Sequence, residues 1–219
     1  STSSYHFIIE IGSDRFLMRS EEIDFPNLYA LKYFEELGNL LKNLQVTNES
    51  GGNICLEEGT DLALEMISST KTSSRKIMII GNGGSASIAG HLQNDLCKAV
   101  EVKAMVFYEQ SLLTALANDD GYETVFERPV NLWADNLDLM IAISSSGESE
   151  NILNAVRAAI SKECYVITFS GFKPDNPLRQ MGNVNFYIRS TVYGYVEVAH
   201  QALAHYLTDK ARTPLEEIQ

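Results

Sequence analysis

The sequence predicts an α/β fold built on a parallel sheet, and three observations carry that reading. Short apolar runs recur from Lys76 onward and alternate with stretches of helical period, the pattern of strand–helix–strand units. The run Ile77–Ile80 breaks at once into Gly81, Asn82, Gly83, Gly84 and Ser85, and a helical stretch follows. A second apolar run breaks in the same manner into Ser144-Ser-Ser-Gly-Glu-Ser149. Strand, small-residue turn and helix in succession aim backbone N–H groups and a positive helix end at an anion.

Taken in order, the elements are these. Residues 1–25 read as a separate N-terminal extension. Tyr5–Ile11 and Arg15–Arg19 flank Gly12-Ser-Asp14, as in a hairpin or extended arm. Asn27–Leu44 carries Leu28, Leu31, Phe34, Leu37 and Leu41 at helical spacing. Gln45–Asn53 is polar and contains glycine, so it is expected as a loop. Leu56–Ile67 reads as a second helix. Five strands are expected at Lys76–Ile80, Lys103–Phe107, Asp138–Ile143, Cys164–Phe169 and Val184–Ile188. Helices are expected at Ser85–Cys97, Ser111–Leu116, Ser149–Ile160 and Val196–Ala211. The result is a single domain over 26–219 with a five-stranded parallel sheet flanked by helices.

Composition narrows the function classes. The 219 residues and 45% hydrophobic content suit one globular domain with an added arm. A net charge of −12 argues against nucleic acid or an anionic membrane as partner. It leaves a small anion open, because a nest of N–H groups binds phosphate whatever the overall charge. Cys55, Cys97 and Cys164 are far apart and odd in number, which gives no disulfide framework and no metal-type cysteine pair. No apolar run reaches membrane-spanning length, and Glu10 interrupts Phe7–Ile11, unlike a secretory leader. A reducing cytoplasm is the expected setting.

The first loop fits the G-x-G-x-x-G/A dinucleotide pattern through Gly81, Gly83 and Ala86, with Glu101 about 20 residues on. An ordinary tight turn fits it equally, and so does a phosphate or sugar site. The second loop favours the last reading. Ser144, Ser145, Ser146 and Ser149 supply hydroxyls beside a helix start, with Gly147 for the turn, and such a cradle needs no lysine. The plain alternative is a solvated loop with Ser149 as helix cap. Both loops follow strands of one sheet, at the edge where open α/β folds bind ligands. No nucleotide cofactor is expected.

Gly81-Asn-Gly-Gly-Ser-Ala86, His91, Asn118-Asp-Asp-Gly-Tyr122 with Phe126 and Arg128, Ile143-Ser-Ser-Ser-Gly-Glu-Ser149, and Glu197 with His200 and His205 resemble the sugar isomerase (SIS) domain of phosphoheptose isomerases. The resemblance runs over roughly 27–210. It implies a homotetramer with active sites between subunits, and conversion of sedoheptulose 7-phosphate to D-glycero-D-manno-heptose 7-phosphate. It implies that Ser144, Ser145, Ser146 and Ser149 hold phosphate, and that Asn82, Gly83 and Ser85 contact substrate together with Asp119. Asp95 and His205 would shuttle protons through an enediol. Some members hold zinc among residues that match His91, Asp95, Glu197 and His205.

The residues are compatible with that chemistry. Isomerising an α-hydroxy carbonyl needs a base for a carbon-bound proton and a donor to the carbonyl oxygen, and a carboxylate with a histidine supplies both. His91 and Asp95 are four apart and share a helix face. Glu197 and His205 lie about 12 Å apart along an ideal helix, so one metal reaches both only if their side chains converge. The sequence also departs from the isomerase pattern. Asp95 stands where the family has glutamate, Ala99 where it has arginine, Gly194 where it has aspartate, and Glu197 where it has glutamine. The rival reading is a non-catalytic SIS protein that senses a phosphosugar or scaffolds a partner.

Overall fold

A computed structural model describes the backbone of residues 6–11 and 14–19 and the whole of residues 29–212. Gly12, Ser13, Asn27 and Leu28, on which parts of the hairpin and first-helix expectations fall, lie outside the described residues. The chain divides into two units, Ser1–Asn39 and Leu40–Gln219. In the first unit, β1 (His6–Ile11) and β2 (Asp14–Arg19) pair antiparallel, with Ile8 opposite Leu17. Helix α1 (Ala30–Lys42) crosses the boundary between the units and buries none of its residues.

The second unit carries β3 (Gln45–Asn48), β4 (Asn53–Ile54), β5 (Lys76–Gly81), β6 (Lys103–Val106), β7 (Leu139–Ser144), β8 (Tyr165–Ser170) and β9 (Val184–Tyr187). They form one sheet in the order β4-β3-β9-β8-β7-β5-β6. Strands β9 to β6 are parallel throughout, which are the five strands the sequence predicts. Among the described residues the sheet has seven strands rather than five, because the expected loop at 45–53 is a short hairpin. It pairs antiparallel with β9 and extends the sheet. The strand signal there was too short to read, yet Val46 and Thr47 are buried against the core. The turn is held by the Asn48 side chain, which accepts from Ser50 Oγ and Gly52 N, and by Gly51 at φ 79°.

The central strands are covered on both faces, which explains why they read as continuous apolar runs. Ile77 to Ile80 and Leu139 to Ile143 have no exposed surface. Met78, Ile80, Met140 and Ala142 pack with Val130 of α5 (Glu127–Trp133) and with Ile152, Leu153 and Val156 of α6 (Glu150–Ser161). On the other side lie α2 (Leu56–Thr72), α3 (Gly84–Asp95) and α7 (Tyr193–Arg212). Helix α2 runs five residues past the predicted end at Ile67. The Ser69, Thr70 and Thr72 hydroxyls bond back to carbonyls of the preceding turn, so these residues prolong the helix without leaving donors unpaired. At the opposite edge of the sheet from the loops, Lys76 bridges Asp135 at 2.7 Å and the buried Asp138 at 2.5 Å.

The strand order decides where a ligand can go. From β5 the chain moves outward to β6, whereas from β7 it moves the other way through β8 to β9. The connections after β5 and β7 therefore diverge, and a crevice opens between their carboxyl ends. Those two connections are the glycine loop and the serine loop.

Candidate functional site

A cleft of roughly 230 Å³ lies in that crevice, lined by Asn82, Gly83, Gly84 and Ser85 on one side and by Ser144, Ser145, Ser146 and Ser149 on the other. Tyr193 and Glu197 of α7 close it. Helices α3 and α6 both begin here, so two positive helix ends converge on one small volume. Among the described residues, no lysine or arginine lines it. Gly83 has φ 55° and caps α3 without a side chain, and any Cβ on Gly81 would collide with the Ser85 backbone. The loop thus needs glycine to pack tightly against its own helix.

The serine loop is wound on itself. Ser144 Oγ accepts from Gly147 N at 3.1 Å and donates to Ser149 Oγ at 3.3 Å, while Ser146 Oγ accepts from Glu148 N at 3.2 Å. Ser149 sits at the cap position of α6 but makes no capping bond; its hydroxyl accepts from Ser144 Oγ, and the residue lines the cleft. Ser145 Oγ is buried with no hydrogen-bond partner among the described residues. A buried hydroxyl without a partner costs free energy, and an incoming oxyanion would satisfy it.

A second cluster lies farther along α3 and α7. Asp95 Oδ2 is 3.4 Å from His91 Nε2 and 3.4 Å from His205 Nδ1. The imidazole centroids are 4.9 Å apart. One ligand-type atom from each of His91, Asp95 and His205 lies within 4.8 Å of the other two, a donor set that suits a borderline divalent ion. Both histidines are about half exposed, whereas the Asp95 side chain is 22% exposed. Helix geometry changes immediately beyond Asp95: Leu96–Val100 is a turn of π-helix ending in Glu101 at φ 63°.

Three of the four residues expected as metal ligands are therefore together, and the fourth is not. The Glu197 carboxylate rests on Gly84 at the start of α3, so closely that a Cβ on Gly84 would strike it. Two helical turns separate it from His205, about 12 Å along α7. Asp119 is exposed at the end of α4 (Gln110–Asp119), accepts from Asn118 Nδ2 at 2.7 Å, and is not among the cleft-lining residues. Its neighbour Asp120 is held by Arg128 at 3.0 Å. His200 is a core residue: fully buried, 3.1 Å from the Ser170 carbonyl and tilted against Phe169, with burial pushing its pKa down to about 4.

Sequence reasoning passed over three residues at the cleft. Tyr193 lines it, and Asn151 and Tyr122 both bond Asn82. Two of them had a local signal without a role assigned: Tyr122 closes the Asn118-Asp-Asp-Gly-Tyr122 stretch, and Asn151 lies two residues past Ser149 at a helix start.

The SIS domain family model matches residues 32–171. The phosphoheptose isomerase of Shewanella denitrificans is 30% identical over 162 residues, 70% of this chain and 83% of that protein. Among solved structures, phosphoheptose isomerase GmhA from Neisseria gonorrhoeae superposes with TM-score 0.72 and 26% identity, covering 83% of this chain and 95% of that one. A phosphoheptose isomerase from Francisella tularensis gives TM-score 0.72 at 24% identity over 84% and 98%, a likeness of fold. The expected fold class therefore holds, and among the described residues no helix is long and apolar enough to cross a membrane.

Proposed function

Because the chain belongs to the SIS domain family, we propose that it is a phosphosugar aldose–ketose isomerase whose substrate is sedoheptulose 7-phosphate and whose product is D-glycero-D-manno-heptose 7-phosphate. The observation that carries this reading is the pairing of two sites: an anion cradle where α3 and α6 begin, closed by Tyr193 and Glu197 of α7, and an acid–base cluster about two to three turns farther along α3 and α7. A phosphate seated among the serines leaves the sugar chain to extend along α3 and α7 toward Asp95 and His205.

The reaction moves protons and nothing else. A base lifts a proton from C1 of the ketose, giving an enediol; the proton returns at C2 while the hydroxyl proton passes from O2's neighbour O1 to O2, and the formula is unchanged. Asp95, with His205 against the same oxygen, is suited to the carbon-bound proton, and His205 to the oxygen-bound one. Asp95 is one methylene shorter than glutamate, but its Oδ2 already lies 3.4 Å from both imidazoles, and positioning is a large part of such a step.

His91, Asp95 and His205 would hold zinc or a similar ion. When bound, that ion would supply polarisation of the substrate oxygens. We also propose a homotetramer with sites between subunits. Leu132 and Trp133 of α5 are 79% and 51% exposed, and α1 leaves Leu31 and Phe34 exposed, apolar area that subunit contacts would cover.

The test is a proton NMR time course with sedoheptulose 7-phosphate in deuterium oxide. Wild-type protein should exchange solvent deuterium into the substrate carbon, and Asp95→Asn and His205→Ala should each lose exchange while still binding. Absence of exchange in the wild type, with zinc and without, would refute the isomerase reading. Full exchange in either variant would remove that residue from the mechanism.

A further inference from the structure

The orientation of one amide in the cleft is fixed by residues outside it. Asn82 and Asn151 exchange two hydrogen bonds: Asn82 Nδ2 donates to Asn151 Oδ1 at 2.9 Å, and Asn151 Nδ2 donates to Asn82 Oδ1 at 2.9 Å. Taken alone, this ring would look the same with both amides flipped. The Ile152 backbone N–H breaks the symmetry, because it donates to Asn151 Oδ1 at 3.0 Å and a backbone donor cannot reverse. With Asn151 fixed, Asn82 is fixed too. Tyr122 OH then donates to Asn82 Oδ1 at 3.1 Å.

The accounting for Asn82 is complete on one side. An amide oxygen has two lone pairs, and both are engaged, one by Asn151 and one by Tyr122. Of the two Nδ2 protons, Asn151 takes one. Toward a ligand, Asn82 can act through its remaining N–H and not through its oxygen. That matches a cleft with no lysine or arginine, where every added donor to an oxyanion counts. The Asn151 side chain is buried, 3% exposed, and it begins the helix that carries the serine loop, so the ring also ties the two loops together.

We propose that Asn151, assisted by Tyr122, is a positioning residue that presents Asn82 to the substrate as a hydrogen-bond donor only. The proposal rests on the reading of the cleft as the phosphosugar site. Its consequence for specificity is that Asn82 faces a substrate oxygen able to accept, a phosphate or sugar oxygen.

A double-mutant cycle tests it, with titration calorimetry of sedoheptulose 7-phosphate under conditions where turnover is blocked by Asp95→Asn in every variant. Asn151→Ala should weaken binding about tenfold when Asn82 is present and less than about twofold in the Asn82→Ala background. Tyr122→Phe, at an exposed ring that folding does not need, should show a smaller loss with the same dependence on Asn82. It keeps the test decisive if Asn151→Ala does not fold. Equal losses with and without Asn82 would overturn the positioning role and leave the cleft reading intact. No loss on Asn82→Ala, or no binding by the parent, would overturn the cleft reading and this inference with it.

Discussion

Acid should destabilise this protein through one residue far from any solvent. His200 has no exposed surface; its Nε2 lies 3.1 Å from the Ser170 carbonyl, and its Nδ1 has no partner among the described residues. Charging the ring would put a second N–H into the core with nothing to accept it, so burial lowers the pKa from 6.5 to about 4. The folded protein therefore refuses a proton that the unfolded chain takes up. Stability is whole above about pH 7, declines as pH falls through 6.5, and the loss is complete only below about 4. The gap between the two values is equivalent to about 3 kcal/mol, of which about 2 kcal/mol is gone by pH 5. His200→Gln keeps a donor for Ser170 and does not titrate. Urea unfolding at pH 7.5, 6 and 5, at fixed protomer concentration, should show wild type losing about 2 kcal/mol more than His200→Gln over that range. Parallel pH profiles for the two proteins would refute the argument, whatever their absolute stabilities.

Three further outcomes follow from the same structure. Ser145→Ala removes a buried hydroxyl that has no partner among the described residues, so melting temperature should hold or rise slightly while phosphosugar affinity in calorimetry falls about tenfold; unchanged affinity would take Ser145 out of the cradle. Gly147→Ala places a side chain at φ 66° against the buried Asn176 amide, and should cost about 1–3 kcal/mol in denaturant titration together with weaker phosphate binding. Lys76→Met leaves Asp138, 1% exposed, without its cation and should cost about 3 kcal/mol or more; a loss below 1 kcal/mol would mean the backbone donors from Lys76 and Asp135 suffice.

The sequence by itself determined the parallel part of the sheet and both loops that line the cleft. Continuous apolar runs such as Ile77–Ile80 are hidden between two layers of helix, and glycine–serine turns at their ends put small residues and free N–H groups at a helix start. Those signals are local, written within a dozen residues. What was illegible depended on distant partners. The hairpin at 45–54 is a strand pair because β9 offers an edge and Val46 finds the core, neither of which its own polar composition announces. Asp95 was weak evidence alone, and joins a cluster with two histidines because α7 delivers His205 to within 3.4 Å of its carboxylate. Glu197 was grouped with that cluster by sequence, but helical rise carries it two turns away and the packing of α7 on α3 sets it over Gly84. The direction of the Asn82 amide was beyond any motif: it is decided by a backbone N–H at residue 152, which reaches Asn82 only through Asn151, after two strands of the sheet have brought their loops together.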